Sequence, residues 1–285
     1  MLKSVALIGC SMFFLAACAP EEAPRSDAGS QSEIKLYVFD CGELRFNDVT
    51  DFGLSNDETP VREMFVPCYL IDHPDGSVLW DAGLPLDVAG KGRVEVQEGA
   101  FMSYNRSLLE QLADIGHHPS DVDYVALSHM HFDHAGAGNA FAASKLLIQR
   151  PEHTAAFENA DQYPVFDPAL YAELANSETL LLDGDHDIFG DGRVVILSAP
   201  GHTPGHQVLY INLANTGPLV LSGDLYHFRE SRALRRTPAF NTDAEQTLAS
   251  MDKVEAFLAE TGATLWIEHD KALAETLELA PAFYD

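Results

Sequence analysis

The stretch Leu127-Ser128-His129-Met130-His131-Phe132-Asp133-His134-Ala135-Gly136 constrains this chain more than any other. Three histidines and an aspartate fall within six residues, in the pattern H-x-H-x-D-H. Val122 to Leu127 before it reads as a buried strand, and the small residues Ala135 to Gly138 after it cannot fill a core. Imidazoles thrown from a strand end into a small-residue loop are placed to bind metal. His129 and His131 point the same way while the chain is extended, because side chains alternate with period two. Asp133 and His134 then need a turn to reach a second position nearby. The bland alternative is an exposed, His-rich turn.

Other stretches end in the same way. Ile34 to Phe39, Cys68 to Ile71 and Val78 to Trp80 read as strands, the last two joined by Pro74-Asp75-Gly76 and the last delivering Asp81-Ala82-Gly83. Leu146 to Gln149 and Leu180 to Leu182 are further strands. Val194 to Leu197 leads into Gly201-His202-Thr203-Pro204-Gly205-His206. Gln207 to Leu213 follows, then Leu219 to Leu221 ending at Asp224, and Thr264 to Ile267 ending at His269. Helical spacing marks Tyr104 to Ile115 with Ser103 as cap, Thr154 to Asn159, Asp243 to Thr261 stopped by Gly262, and Ala272 to Leu279. Residues 42–66 and 84–102 read as irregular excursions. Nothing after residue 33 looks like a linker, so residues 34–285 are expected to form one domain. Active residues of α/β sheets collect where strands end.

The N-terminus is of another kind. Met1-Leu2-Lys3-Ser4 precedes an apolar run, Val5 to Ala17, too short for a typical membrane span. It closes on Leu15-Ala16-Ala17-Cys18, which resembles the lipobox of bacterial lipoproteins. That resemblance implies a signal peptide over residues 1–17, a lipid on Cys18, and an envelope protein on the outer membrane facing the periplasm. The alternative is an ordinary signal peptide cleaved nearby. Residues 18–33, rich in Pro, Ser, Glu, Ala and Gly, read as a flexible tether. A formal charge of −27 repels phosphate backbones and weighs against a nucleic-acid substrate. Cys41 and Cys68 remain beyond Cys18; in an oxidising compartment they form a bridge or stay as two buried thiols. No Cys-x-x-Cys exists, which removes a thiolate zinc ribbon.

The H-x-H-x-D-H run, the Gly-His-Thr-Pro-Gly-His run, an Asp after a strand and a C-terminal His together resemble the metallo-β-lactamase superfamily, over essentially all of residues 34–285. The resemblance implies an α/β fold, an αβ/βα four-layer sandwich of two mixed β-sheets flanked by helices, with two metal ions at one edge. By it His129, His131 and His202 hold one ion, Asp133, His134 and His269 hold the other, and Asp224 bridges them. His206 is expected beside the ligands or simply buried, and Asp81 is expected either to orient the ligands or to be an ordinary turn aspartate. Such ligands suit two Zn²⁺ ions, with iron, cobalt or manganese as alternatives. Two cations a few ångström apart lower the pKa of a shared water towards neutrality. Asp133 is then the natural proton shuttle to the leaving oxygen.

Which hydrolase this is depends on the flanks. Lactamases of the superfamily usually lack the bridging aspartate, so Asp224 argues against them; glyoxalase-type thioester hydrolases share all the ligands. Tyr69-Leu70-Ile71-Asp72-His73-Pro74, Leu79-Trp80-Asp81-Ala82-Gly83 and the tail from Trp266 to Asp285 are similar to N-acyl-homoserine lactonases. This implies a quorum-quenching enzyme with an acyl lactone as its small-molecule partner; a homodimer is allowed. Many such enzymes carry a tyrosine three residues after the bridging aspartate, where this chain has His227, with Tyr226 one place early. His227 is expected to donate the hydrogen bond to substrate, against the alternative of a surface-loop histidine. Met64, Phe65, Phe101, Met102 and Tyr104 could line an acyl groove or pack in the core. Rival readings are a hydrolase of other esters, thioesters or organophosphates, a β-lactamase, and a metal-binding lipoprotein without catalysis.

Overall fold

The computed structural model describes residues 1–2 and 33–285. Residues 3–17 of the leader, Cys18 and almost all of the tether lie outside the described residues. Thirteen strands run in chain order: β1 Lys35–Phe46, β2 Glu63–His73, β3 Gly76–Trp80, β4 Val94–Gln97, β5 Ala100–Ser103, β6 Tyr124–Ala126, β7 Lys145–Gln149, β8 Thr179–Leu182, β9 His186–Asp187, β10 Val194–Ser198, β11 Gln207–Leu213, β12 Gly217–Leu221 and β13 Thr264–Trp266. The helices are α1 Leu108–Asp114, α2 Arg150–His153, α3 Arg229–Leu234, α4 Ala244–Thr261 and α5 Lys271–Ala274. One sheet has the order β4-β5-β1-β2-β3-β6-β7-β8 and the other β13-β12-β11-β10-β9. Both are mixed: β3, β6, β7 and β8 run parallel, as do β12 and β13, and the other pairs are antiparallel.

Period two explains how the sheets stack. On β2, Tyr69 and Ile71 face one way and join Leu36, Val38, Trp80, Ile196, Leu209, Ile211 and Leu221 between the sheets. Their neighbours Cys68 and Leu70 face the other way, into a core with Leu108 and Leu112 of α1. On the second sheet Leu197, Val208 and Val220 turn outward to meet Met251, Val254 and Leu258 of α4. Helix, sheet, sheet and helix are the four layers, held by three apolar seams in which each fully buried large side chain contributes about 1.5–3 kcal/mol.

Four local departures from the sequence reading have physical causes. The first excursion shrinks to residues 47–62, because β1 continues past a bulge at Gly42 (φ +128°) and Glu43 to Arg45 pair with Phe65 to Glu63. Residues 94–103 become the hairpin β4–β5 because β5 finds the outer end of β1, with Leu44 opposite Met102. Helix α1 starts at Leu108, not Tyr104, since Ser107 and Glu110 form a reciprocal capping box. The C-terminal helix stops at Ala274, and the tail instead binds the free side of β1, with Leu36 and Tyr284 exchanging backbone hydrogen bonds of 2.8 and 2.9 Å. Cys41 and Cys68 form a disulfide across β1 and β2.

Candidate metal centre

Five strand ends converge on one edge of the sandwich. Leaving β3 is Asp81, leaving β6 are Ser128 and His129, leaving β10 is His202, leaving β12 is Asp224 and leaving β13 is His269. Two compact groups result, His129, His131, His202 and Asp224 in one, and Asp133, His134 and His269 in the other, all buried. In the first, His202 Nε2 lies 3.2 Å from both His129 Nε2 and His131 Nδ1. In the second, His134 Nε2 lies 3.3 Å from His269 Nε2. Asp224 straddles the two. Its Oδ2 is 3.5 Å from His129 Nε2 and 3.2 Å from His202 Nε2, while Oδ1 is 3.1 Å from His134 Nε2 and 2.9 Å from His269 Nε2. Asp133 Oδ2 stands further off, 3.8 Å from His134 and 3.7 Å from His269.

Protons alone cannot satisfy this arrangement. Three imidazole nitrogens aimed at one point can share at most one proton per pair, and buried Asp224 Oδ1 takes no hydrogen bond of good geometry. Tetrahedral ligands at a Zn–N distance of about 2.05 Å would stand about 3.3 Å apart, close to the spacing found. The donor set therefore fits two divalent cations sharing Asp224.

The remote ring nitrogens are tied down, which orients the ligating ones. Asp81 adopts φ +58° and accepts from Ser128 N (2.6 Å) and Ser128 Oγ (2.9 Å), with His134 Nδ1 at 2.7 Å. Ser128 Oγ also reaches His129 Nδ1 at 3.0 Å. His202 Nδ1 meets Asn241 Oδ1 at 2.8 Å, and His269 Nδ1 meets the Phe65 carbonyl at 2.7 Å. His206 is not among the converging ligands: it bonds the Ala199 carbonyl through Nδ1 and accepts from Asp224 N at Nε2, 2.9 Å away. Burial, reinforced by the His202 imidazole, depresses its pKa to about 3, so it stays neutral in that bridging role. Asp81 and Glu268 also approach His134, but its Nδ1 is already bonded to Asp81, so this trio braces the site. Burial, then the Asp81 carboxylate, pushes Glu268 up to about 8; its Oε1 accepts from Trp80 Nε1 and Gly223 N. Burial and neighbouring imidazoles lower His129 and His131. Burial is the largest single influence on His134 and His269 and lowers both, but their neighbouring carboxylates together outweigh it and raise them, Asp224 with Asp81 and Asp133 at His134, and Asp224 with Asp133 at His269.

Above the ligands opens a groove of about 580 Å³. Its floor is His131, Asp133, Asp224, His227 and His269, and its walls include Phe46, Phe52, Met64, Phe101, Met102, Phe132, Phe166 and Phe240. Among the described residues no lysine or arginine lines it, while Asp48, Asp51, Glu98 and Asp167 stand exposed along it. Of the five residues left open between groove and core, Met64, Phe101 and Met102 border this groove, Met64 while also packing in the core. Phe65 and Tyr104 do not: Phe65 alternates away from Met64 on β2, and Tyr104 is buried in the core with its hydroxyl on Leu108 N. The phenylalanines from distant loops were invisible in the sequence, because no local spacing links them.

His227 lies on the groove floor, 2% exposed, with Nε2 3.0 Å from Asp224 Oδ2 and its ring against Phe52. Tyr226 points the opposite way and donates to Glu255 Oε1. It borders a second cavity of about 650 Å³, whose Arg229, Arg232 and Arg235 are each paired with a carboxylate and which holds none of the metal ligands. Sequence reading also passed over Ser128, Asn241, Glu152 and Glu268, ordinary residues whose roles arise from distant partners.

Comparison with known proteins accords with this geometry. Residues 61–261 match the family model described as the metallo-beta-lactamase superfamily. An N-acyl homoserine lactonase AttM of Azorhizobium caulinodans is 30% identical over 267 residues, 89% of this chain and 100% of the relative. An N-acyl homoserine lactonase AiiA of Bacillus thuringiensis subsp. kurstaki is 26% identical over 257 residues, 87% of this chain and 98% of the relative. A solved structure of an N-acyl homoserine lactone hydrolase, with the product N-hexanoyl-L-homoserine at its catalytic metal centre, superposes with a TM-score of 0.74 at 25% identity, covering 87% of this chain and 98% of the other. The cluster is a divalent-metal site.

Proposed function

This chain belongs to the metallo-beta-lactamase superfamily and is a metal-dependent hydrolase, and on that premise we propose that it opens the lactone ring of N-acyl homoserine lactones with two zinc ions. The observation that carries the reading is the pairing of a buried two-cluster site, with Asp224 between its halves, with an aromatic groove directly above it that no described lysine or arginine lines.

His129, His131 and His202 would hold one ion and Asp133, His134 and His269 the other, with the Asp224 carboxylate standing between the two groups. When bound, the two cations supply Lewis acidity for the lactone carbonyl and lower the pKa of water enough for attack near neutral pH. The chain's own residues do the rest. Phe52, Met64, Met102 and their neighbours take the acyl chain by apolar burial and exclude water around the ring. His227 turns its Nε2–H from Asp224 Oδ2 to the carbonyl oxygen of the substrate, where it donates as negative charge develops. Asp133, at the groove floor, takes a proton from the attacking water and passes it to the ring oxygen as the carbon–oxygen bond breaks. The product is an N-acyl homoserine carboxylate. The carboxylates along the groove favour a neutral acyl chain over an anionic one and oppose rebinding of the anionic product.

The expected setting is the bacterial envelope, with residues 1–17 removed, Cys18 lipidated and residues 18–33 as tether. The Cys41–Cys68 bridge supports an oxidising compartment. Mass spectrometry of the mature N-terminus checks this part: an unmodified terminus other than Cys18 overturns the anchor.

A hydrolysis panel tests the activity, using acyl homoserine lactones of several chain lengths, a chromogenic β-lactam, a thioester, a phosphodiester and an organophosphate. Lactone turnover should exceed every other by at least about a hundredfold in kcat/KM, near 2.7 kcal/mol of discrimination. Turnover of the phosphodiester alone would overturn the reading.

A further inference from the structure

Glu152 has no place among the ligands and does not line the groove, yet it is 1% exposed. It sits on α2, straight after β7, and among the described residues it forms no ion pair. Its Oε1 accepts from Met130 N at 3.0 Å, and its Oε2 accepts from Gly205 N at 2.8 Å. Met130 lies between His129 and His131; Gly205 lies three residues after His202. One carboxylate therefore ties together the two loops that deliver the three imidazoles of the first cluster. The approach is close enough to require glycine: a Cβ on Gly205 would stand 2.6 Å from Glu152 Cβ and 2.6 Å from its backbone nitrogen. Neighbouring amides reinforce the seam, with Gln149 Nε2 donating to Gln207 Oε1, and Gln207 N donating to the Ser128 carbonyl.

A buried carboxylate costs several kcal/mol in desolvation, and two backbone donors offset this only where their positions are held. That expenditure falls on a side chain that bridges the His129–His131 loop and the His202 loop directly, through Met130 N and Gly205 N. We propose that Glu152 is a positioning residue of the metal centre, locking the Met130 and Gly205 peptides so that His129, His131 and His202 converge on one ion. The inference rests on the metal-binding reading of the site and is independent of the choice of substrate.

The test uses the purified full chain as wild type, Glu152→Gln, Glu152→Asp, Gly205→Ala and the remote control Ser77→Ala, whose hydrogen bonds to Asp121 and Asp123 lie at the other end of β3. Gln keeps the shape but turns an amide NH₂ towards one of the two peptide N–H groups. Zinc per chain is measured in competition with a chromophoric chelator, with the absorption spectrum of the cobalt-loaded protein and the thermal unfolding of the metal-free protein alongside. Glu152→Gln and Gly205→Ala should weaken one of the two ions about ten- to a hundredfold and alter part of the cobalt spectrum. Glu152→Asp, which keeps both oxygens on a shorter stem, should lose less, and Ser77→Ala should keep both ions despite lower metal-free stability. Wild-type affinity and an unchanged cobalt spectrum in Glu152→Gln would overturn the proposal. So would equal metal loss in Ser77→Ala. If Glu152→Gln and Gly205→Ala do not fold, Glu152→Asp decides: undiminished affinity there sinks the idea.

Discussion

The floor and the walls of the groove are built by different forces. At the floor and just beneath it, His129, His134, His202 and His269 each anchor their remote nitrogen, on Ser128, Asp81, Asn241 and the Phe65 carbonyl respectively. Those bonds are directional, so moving any partner by an ångström mis-aims an imidazole. The walls are phenylalanines and methionines from residues 46–52, 101–102, 132, 166 and 240, packed edge to face, as Phe52 is on Phe228 and Phe240. Their contribution is area removed from water, which tolerates changes of shape. Floor mutations should therefore decide whether the chain turns over substrate at all, and wall mutations which acyl chain it prefers.

The strongest way to break this contrast is at Asp224, whose two carboxylate oxygens face imidazoles of the two clusters. Asp224→Ala should lower kcat by at least about a thousandfold, near 4 kcal/mol, and reduce bound metal below two ions per chain. An active variant with two ions would show that the clusters do not share it. Next comes the support under the Asp81 turn. A Cβ on Gly83 would lie 2.3 Å from Cys41 Cβ, so the disulfide abuts that turn directly. Cys41→Ala with Cys68→Ala should cost about 2–4 kcal/mol of unfolding free energy in denaturant titrations, while the reduced enzyme stays active below its transition.

Asp81→Asn should be milder, with metal affinity falling about ten- to a hundredfold, roughly 1.4–2.8 kcal/mol, in chelator competition. The shape survives, but the asparagine amide cannot accept from both Ser128 and His134. Smallest of all is a wall change. Met102→Ala should raise KM for long-chain lactones about three- to tenfold, roughly 1 kcal/mol, leave short-chain lactones nearly unchanged and leave metal content untouched. Metal loss in Met102→Ala would erase the distinction between floor and wall. Treatment with a chelator sharpens it from the other side. The metal-free protein should be inactive and unfold at lower temperature, since stabilisation by a ligand bound to the folded state is lost.

The two regions also differ in how far they could be read from residues alone. The H-x-H-x-D-H run, His202 after its strand, Asp224 and His269 each carry a local signal, a polar metal-binding type placed just after an apolar run, and the structure draws all of them to one edge. The sandwich was legible only through the family that those motifs resemble; the structure supplies its physical basis, strands apolar on both faces and covered on both. Elsewhere local signals misled. Ser103 looked like a helix cap, but the reciprocal Ser107–Glu110 box lay one turn on. Residues 94–103 carry no strong alternation and became strands because the outer end of β1 was open to them.

What the sequence determined by itself is the chemistry: neutral imidazoles and carboxylates at strand ends, in a strongly acidic chain. What only the tertiary structure decided is how that chemistry is held and what reaches it. Glu152, Asn241 and Glu268 act on groups 22 to 53, 39 and 45 to 188 positions away respectively. The phenylalanines of the groove meet only when separate loops close over one edge. Tyr226 and His227, adjacent in the chain, face opposite sides because the backbone is extended there at Tyr226. Ligand identity is a property of single residues and survives in the string; positioning is a property of pairs far apart, and folding alone creates it.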